Sequence, residues 1–362
     1  MKGSIGATLA GTTLLAGAIA AATAASAASP SAQSNPLRVG MYAQAGTLEV
    51  IVTNTGNRVA RVPKWQLPDA TLEARLFRVS VDGKPVAYEG PLVKRGLPTA
   101  ADFAILRPGE SRRTVVDLSA YYDMRQPGQY TVTLVSPLQF ASLSDGSMLR
   151  TARGQPMLLQ SVPLQFFSHG AAQSPSASRK KPGGGGGSVV VNGVSFVGCS
   201  STQIGGAGDA VVQARVYSEN AKGYLDTGTV GSRYTTWFGA YTSSRYGTAR
   251  QHFTAIDTAL DQGNGQVTIN CGCNQSYYAY VYPTQPYKIY VCRAFWSAPL
   301  TGTDSKAGTL IHETSHFNVV ASTDDIVYGQ SGAKNLAASD PASALDNADN
   351  HEYFAENNPK LN

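Results

Sequence analysis

Between Leu37 and Phe167 apolar and polar residues alternate over short runs: Thr47–Thr53, Ala74–Val81, Thr114–Leu118 and Tyr130–Val135. Turn-forming residues separate them, as in Asn54-Thr-Gly-Asn57, Asp82-Gly83, Pro108-Gly109 and Pro127-Gly128. A period of two with this punctuation, and almost no helical period, predicts an antiparallel β-sandwich of the immunoglobulin-like kind over 37–167. The pattern stops at Ser168. Ser168–Ser188 carries Arg179-Lys-Lys-Pro182 and then five glycines, Gly183–Gly187, and nothing in it can bury a core. It predicts a flexible linker and a place for proteolytic cutting. From 189 to 362 the spacing turns helical, over Asp209–Ala221, Thr248–Asp261, Thr309–Val320 and 342–356, with a strand over Tyr287–Phe295. This second domain is therefore expected to be mainly α, with a small sheet (α+β).

The first residues change the picture of where the chain works. Lys2 precedes an uncharged run from Ile5 to Ala25, and Ala25-Ser26-Ala27 is a small-x-small cleavage pattern with Pro30 beyond it. This reads as an export signal over 1–27, which makes the protein secreted. A membrane anchor would carry more Leu and Ile than Ala, Gly and Thr. Hydrophobic residues at 42% and charged residues at 15% are values of a folded chain. The net charge of +5 hides an asymmetry: from residue 190 onward there are 10 Lys and Arg against 14 Asp and Glu, and before it 19 against 10. Opposite charges suggest that the two halves face each other, and the acidic half argues against nucleic acid as a partner. Cys199, Cys271, Cys273 and Cys292 all lie in that half. An even count in an exported chain predicts two disulfides. Cys271 and Cys273 cannot easily bond across one residue, which leaves Cys199–Cys271 with Cys273–Cys292, or the crossed pairing. A four-cysteine zinc site would need CxxC pairs that are absent.

The chemistry concentrates in His312-Glu-Thr-Ser-His316. Residues four apart share a helix face, so His312 and His316 can offer imidazoles to one zinc ion, while Glu313 stands beside it as a proton carrier. Surface histidines on an amphipathic helix are the bland alternative, and the chain has only five histidines to place. A catalytic zinc needs a third ligand, and an Asp in Ala321–Gly329 could supply it. His252, in a predicted helix beside Phe253, reads as structural. His351 lies in an acidic stretch and has no assigned role. Asp340–Glu356 holds five acidic residues and no Lys or Arg. Asp349 and Glu352 would share a helix face there, either as a solvated surface or as a pocket for a cation.

At this point the sequence resembles the aspzincin metalloendopeptidases, the deuterolysins and more closely the peptidyl-Lys metalloendopeptidases. Ser322-Thr-Asp-Asp325-Ile-Val-Tyr328-Gly is similar to the family's Gly-Thr-x-Asp-x-x-Tyr-Gly, with Ser322 in place of the first Gly. The resemblance implies Asp325 as third ligand of one zinc per chain, Asp324 as an unligated neighbour, and Tyr328 as a stabiliser of the oxyanion. The terminal segment Asn347–Asn357 is similar too, and implies that Asp349 and Glu352 line the pocket for a substrate lysine after the scissile bond. The cysteine pattern implies Cys199–Cys271 and Cys273–Cys292. The strands of 37–167 resemble, through Leu106-Arg-Pro-Gly-Glu110 and Tyr130-Thr-Val, the propeptide of bacterial members. The expectation is a zincin-like protease domain at 189–362 held inactive by its own propeptide, acting as a monomer on peptides and proteins. Self-cleavage before Lys180 or Lys181 would release it. A deuterolysin-like protease without lysine preference, or an exported adhesion protein with a structural zinc, are the rival readings.

Overall fold

A computed structural model describes residues 34–44, 47–170 and 187–362; the export signal and the linker lysines lie outside the described residues. No helix among the described residues is long and apolar enough to cross a membrane.

The N-terminal region is β-rich, as its alternation predicts. β1 (Leu37–Gln44) and β2 (Thr47–Asn54) form a hairpin extended by β8 (Ser111–Val116). β3 (Ala60–Pro63) lies between β7 (Phe103–Leu106) and β10 (Ser142–Leu143). A third sheet runs β11 (Leu158–Gln160), β9 (Gly128–Pro137), β4 (Phe77–Val81) and β5 (Lys84–Pro85), and β12 (Leu164–Ser168) also pairs with β9. Every second residue of β2 and β9 is buried, and those side chains, with Phe77, Tyr121 and Tyr122, make one apolar core. β6 (Leu92–Lys94) is the exception, because it leaves these sheets to join the other half of the molecule.

The C-terminal region is mainly helical around a mixed sheet of order β13 (Ser188–Val191), β14 (Val194–Val197), β15 (Thr268–Asn270), β17 (Lys288–Val291), β16 (Ala279–Val281) and then β6. α1 (Ser201–Asp226) starts at a capping box of Ser200 and Gln203. It packs against α3 (Ser243–Leu260), α5 (Lys306–Ser315) and α8 (Ala348–Glu356). α2 (Ser232–Phe238), α6 (Gly329–Ser339) and α7 (Pro341–Leu345) close the far side, and α4 (Arg293–Ser297) follows β17. The predicted strand Tyr287–Phe295 is therefore shorter, giving way to a helix after Cys292. The disulfides are Cys199–Cys271 and Cys273–Cys292. Parallel pairing of Val197 with Asn270 brings the first two cysteines together just beyond the ends of β14 and β15.

Two helices differ from expectation where the chain must turn. The helix expected over Thr309–Val320 begins earlier and ends at Ser315, because the next turn folds back: Thr323 N–H donates to the Ser315 carbonyl and the Ser315 and Thr323 hydroxyls bond at 2.6 Å. The stretch 342–356 is broken at Asp346-Asn347, where the Asn347 side chain is needed to hold a neighbouring loop.

Candidate metal centre and active site

α5 is buried along Ala307–Ser315, between the sheet and α1 and α8. Such close approach needs Gly308, since a Cβ there would strike the Glu356 carboxyl group. That carboxyl accepts from the Ser305 backbone N–H and hydroxyl, at 2.9 and 2.7 Å, and so fixes the start of α5 to α8. Burial, then the neighbouring Glu352, pushes its pKa up to about 9, so it is neutral at pH 7.

His312 and His316 project from one face of α5. The His316 Nδ1–H donates to the Thr323 carbonyl at 2.9 Å, which leaves Nε2 as the free lone pair. Asp325 arrives on the returning loop, its Oδ1 3.1 Å from His312 Nε2 and 3.5 Å from His316 Nε2. The reversal is made at Ser322, with φ 53°, a left-handed conformation that glycine adopts at no steric cost. Asn347 Oδ1 then accepts from the Ile326 and Val327 N–H groups, at 2.9 and 3.1 Å, and sets the loop's path. His312 Nδ1 lies 2.9 Å from Asp349 Oδ1 and 3.3 Å from Glu352 Oε2, both on α8.

Five buried atoms around this point have no hydrogen-bond partner: His312 Nε2, His316 Nε2, Asp325 Oδ1 and both carboxylate oxygens of Glu313. Buried polar atoms are ordinarily satisfied, so such a cluster fits a guest that is a cation with its water. His312, His316 and Asp325 bring one donor atom each within 4.8 Å of one another. Burial alone would raise the Asp325 carboxyl, but His316 and His312 hold it well below the usual range. Burial raises Glu313 to about 7 against the opposing pull of His312 and His316. That is a useful value for a group that takes and returns a proton near neutrality.

The sequence placed Asp349 and Glu352 on one helix face, and they are buried beside His312. It did not reveal what fills the space between them. β6 pairs antiparallel with β16, Val93 opposite Tyr280 and Lys94 opposite Ala279. The Lys94 side chain is 1% exposed; its ammonium lies 2.5 Å from Glu352 Oε2, 3.5 Å from Asp304 Oδ1 and 3.7 Å from Asp349 Oδ1. Burial would lower its pKa, yet the three carboxylates, Glu352 foremost, hold it well above the usual lysine value. Just before it, the Val93 carbonyl accepts from the Tyr328 hydroxyl at 3.0 Å, and the Val93 N–H donates to Asp325 Oδ2 at 2.9 Å. Asp324, expected as an unligated neighbour, pairs with Arg75 of the β-rich region (Nε to Oδ2 2.8 Å). Gln139 of the same region bonds both the N–H and the carbonyl of Tyr328, at 2.8 and 2.6 Å. Lys94, Asp304 and Gln139 have no local signal in the sequence, because their partners lie tens to hundreds of residues away. His252 and His351 stand apart from the centre and bond each other, Nδ1 to Nε2 at 2.9 Å.

A helix with two histidines and an unpartnered glutamate, closed by an aspartate on a returning loop, defines a zinc metalloendopeptidase. Residues 225–356 match the aspzincin family model, described as lysine-specific metallo-endopeptidase. The chain is 42% identical over 325 residues to an extracellular protease of Aeromonas hydrophila, covering 87% of this chain and 89% of that one. It is 35% identical over 320 residues to the peptidyl-Lys metalloendopeptidase of Grifola frondosa, covering 85% and 87%. A solved structure of a zinc peptidase from Grifola frondosa is 46% identical and covers 45% of this chain and all of that one, with a TM-score of 0.43. The chain belongs to the aspzincin metalloendopeptidases, and zinc is its cofactor.

Proposed function

We propose that the protein is a secreted zymogen of a lysine-directed endopeptidase, cutting on the N-terminal side of Lys and silenced by its own β-rich, immunoglobulin-like propeptide. The observation that carries this reading is β6. It lies along the edge of the catalytic sheet as an added strand, its lysine reaches the paired carboxylates, and the carbonyl before that lysine meets Tyr328. A substrate bound the same way would present the bond before its lysine to Glu313.

His312, His316 and Asp325 would hold the zinc, which supplies Lewis acidity to polarise the carbonyl and acidify water. Glu313 takes a proton from the attacking water and returns it to the departing amine. The Tyr328 hydroxyl donates to the carbonyl oxygen as negative charge develops there. Glu352 and Asp349 neutralise the lysine ammonium, and β16 fixes the backbone register. Release requires the propeptide to be cut away, and the linker over 168–188 offers Lys180 and Lys181 to the enzyme itself.

Digestion of a peptide library by the processed, secreted protein tests the reading. Cleavage before Lys, abolished by a chelator and restored by zinc, is the expected outcome. Cutting without regard to the residue after the bond would remove the lysine assignment, and chelator-resistant cutting would remove the metal centre. N-terminal sequencing of wild type and Glu313→Gln decides self-processing, since equal processing would exclude it.

A further inference from the structure

The pocket around Lys94 has an unequal division of labour. Asp349 faces two ways: its Oδ2 accepts from the Gly329 N–H at 2.6 Å, and its Oδ1 lies 2.9 Å from His312 Nδ1 and 3.7 Å from the Lys94 ammonium. Glu352 makes the shortest contact with the ammonium. Asp304 sits at the opposite side, in the loop before α5, with its side chain 41% exposed at the pocket mouth. Its Oδ1 is 3.5 Å from the ammonium and accepts from the Tyr353 hydroxyl at 2.7 Å, which holds the carboxylate facing inward. The Tyr278 ring lies 5.2 Å and the Tyr353 ring 5.9 Å from the same nitrogen. A compact ammonium with three donors suits this arrangement of separate acceptors and aromatic faces, whereas a guanidinium prefers one coplanar fork.

We propose that Asp304 is a third specificity-determining carboxylate, closing the lysine pocket from the loop side, while Asp349 faces both the ammonium and His312. The inference rests on the lysine reading above and goes further by naming the residues that divide the work. No contact joins Asp304 to His312, His316 or Asp325, so it should act on recognition and leave the metal in place.

The test uses full-length protein, expressed, zinc-loaded and processed, against peptides differing only in Lys, Arg or Leu after the scissile bond. In Asp304→Asn the ratio of kcat/KM for the Lys peptide to that for the Leu peptide is expected to fall on the order of tenfold, mainly through KM. Zinc content should stay at the wild-type level. Asp304 has φ 52°, which Asn and Gly both tolerate; Asp304→Gly is the second variant and should lower the same ratio. Asp349→Asn should instead lower kcat for all three peptides and weaken zinc retention. An unchanged Lys-to-Leu ratio in both Asp304 variants overturns the proposal while leaving lysine specificity intact. A wild type that cuts Lys and Leu peptides equally would overturn the lysine reading itself.

Discussion

Two clusters of buried ionisable groups share His312 and are finished in opposite ways. Around the His312 Nε2 side, His316 Nε2, Asp325 Oδ1 and both carboxylate oxygens of Glu313 have no hydrogen-bond partner within the chain. Around the Nδ1 side, Glu352, Asp349 and Asp304 surround a cation that the chain itself supplies, Lys94. The first cluster waits for a guest that no side chain can imitate. The second takes a cation that a side chain can supply, and Lys94 fills it. On the proposed zymogen reading, inhibition would need no metal-blocking residue, because Lys94 in the pocket and β6 on the sheet edge leave no room for a competing strand.

The largest effect should come from the unsatisfied cluster. Glu313→Gln keeps the shape of the side chain and removes its capacity to accept a proton. Peptidase activity of the processed protein should fall by about 10²- to 10⁴-fold, with zinc content unchanged by elemental analysis. In the wild type, the acid limb of the kcat/KM profile should lie at or below about pH 7, the value to which burial raises this carboxyl. Its base form is the active one, so activity is lost as pH falls through that range. An intact activity in Glu313→Gln would dissolve the distinction between the two clusters.

The second cluster makes a smaller but opposite prediction. Lys94→Met preserves most of the apolar stem and deletes the charge, leaving buried carboxylates uncompensated. Breaking a buried pair in this way costs about 3 kcal/mol or more, which corresponds to roughly 100-fold weaker occupation of the cleft. The intact, unprocessed Lys94→Met chain should therefore show more peptidase activity than the intact wild type, measured on a short lysine peptide before any cleavage between residues 168 and 188. If both intact chains are equally silent, the β-rich region must block the cleft by other contacts, such as Arg75 with Asp324 and Gln139 with Tyr328.

These contrasts explain what the sequence could and could not disclose. His312, Glu313 and His316 are legible because a helix converts spacing into a shared face. Asp325 became visible only through resemblance to a motif, and its geometry explains that motif: the residue at 322 must turn left-handed, where the family carries Gly and this chain carries Ser. Spacing left two disulfide pairings open, and the register of β14 on β15 decides between them. Lys94 was invisible because a three-residue strand in Leu92-Val-Lys94 looks like any edge of a sandwich. The strand pairs with β16, Lys94 opposite Ala279, and local pattern carries no information over such a distance. The helix break at Asp346-Asn347 has no local signal for a related reason: Asn347 interrupts the helix to serve a loop twenty residues earlier.

A third pair of groups, His351 on α8 and His252 on α3, differs from both clusters because its two rings bond each other. The His351 Nδ1–H donates to the Asn347 carbonyl at 3.0 Å, so its Nε2 must accept the His252 Nδ1–H at 2.9 Å. Both rings are neutral, because burial lowers His252 to about 4 and His351 to about 3, the latter helped by His252, from an ordinary 6.5. Between those values the unfolded chain binds more protons than the folded one. The contribution to stability is therefore complete above about pH 6.5 and is lost as pH falls toward 4 and then 3. His252→Gln keeps a donor for His351 and removes one titrating ring. Between pH 7 and pH 5 the wild-type melting temperature should drop roughly 2–4 °C more than that of the variant. Equal drops would mean that this pair is solvated in the folded chain.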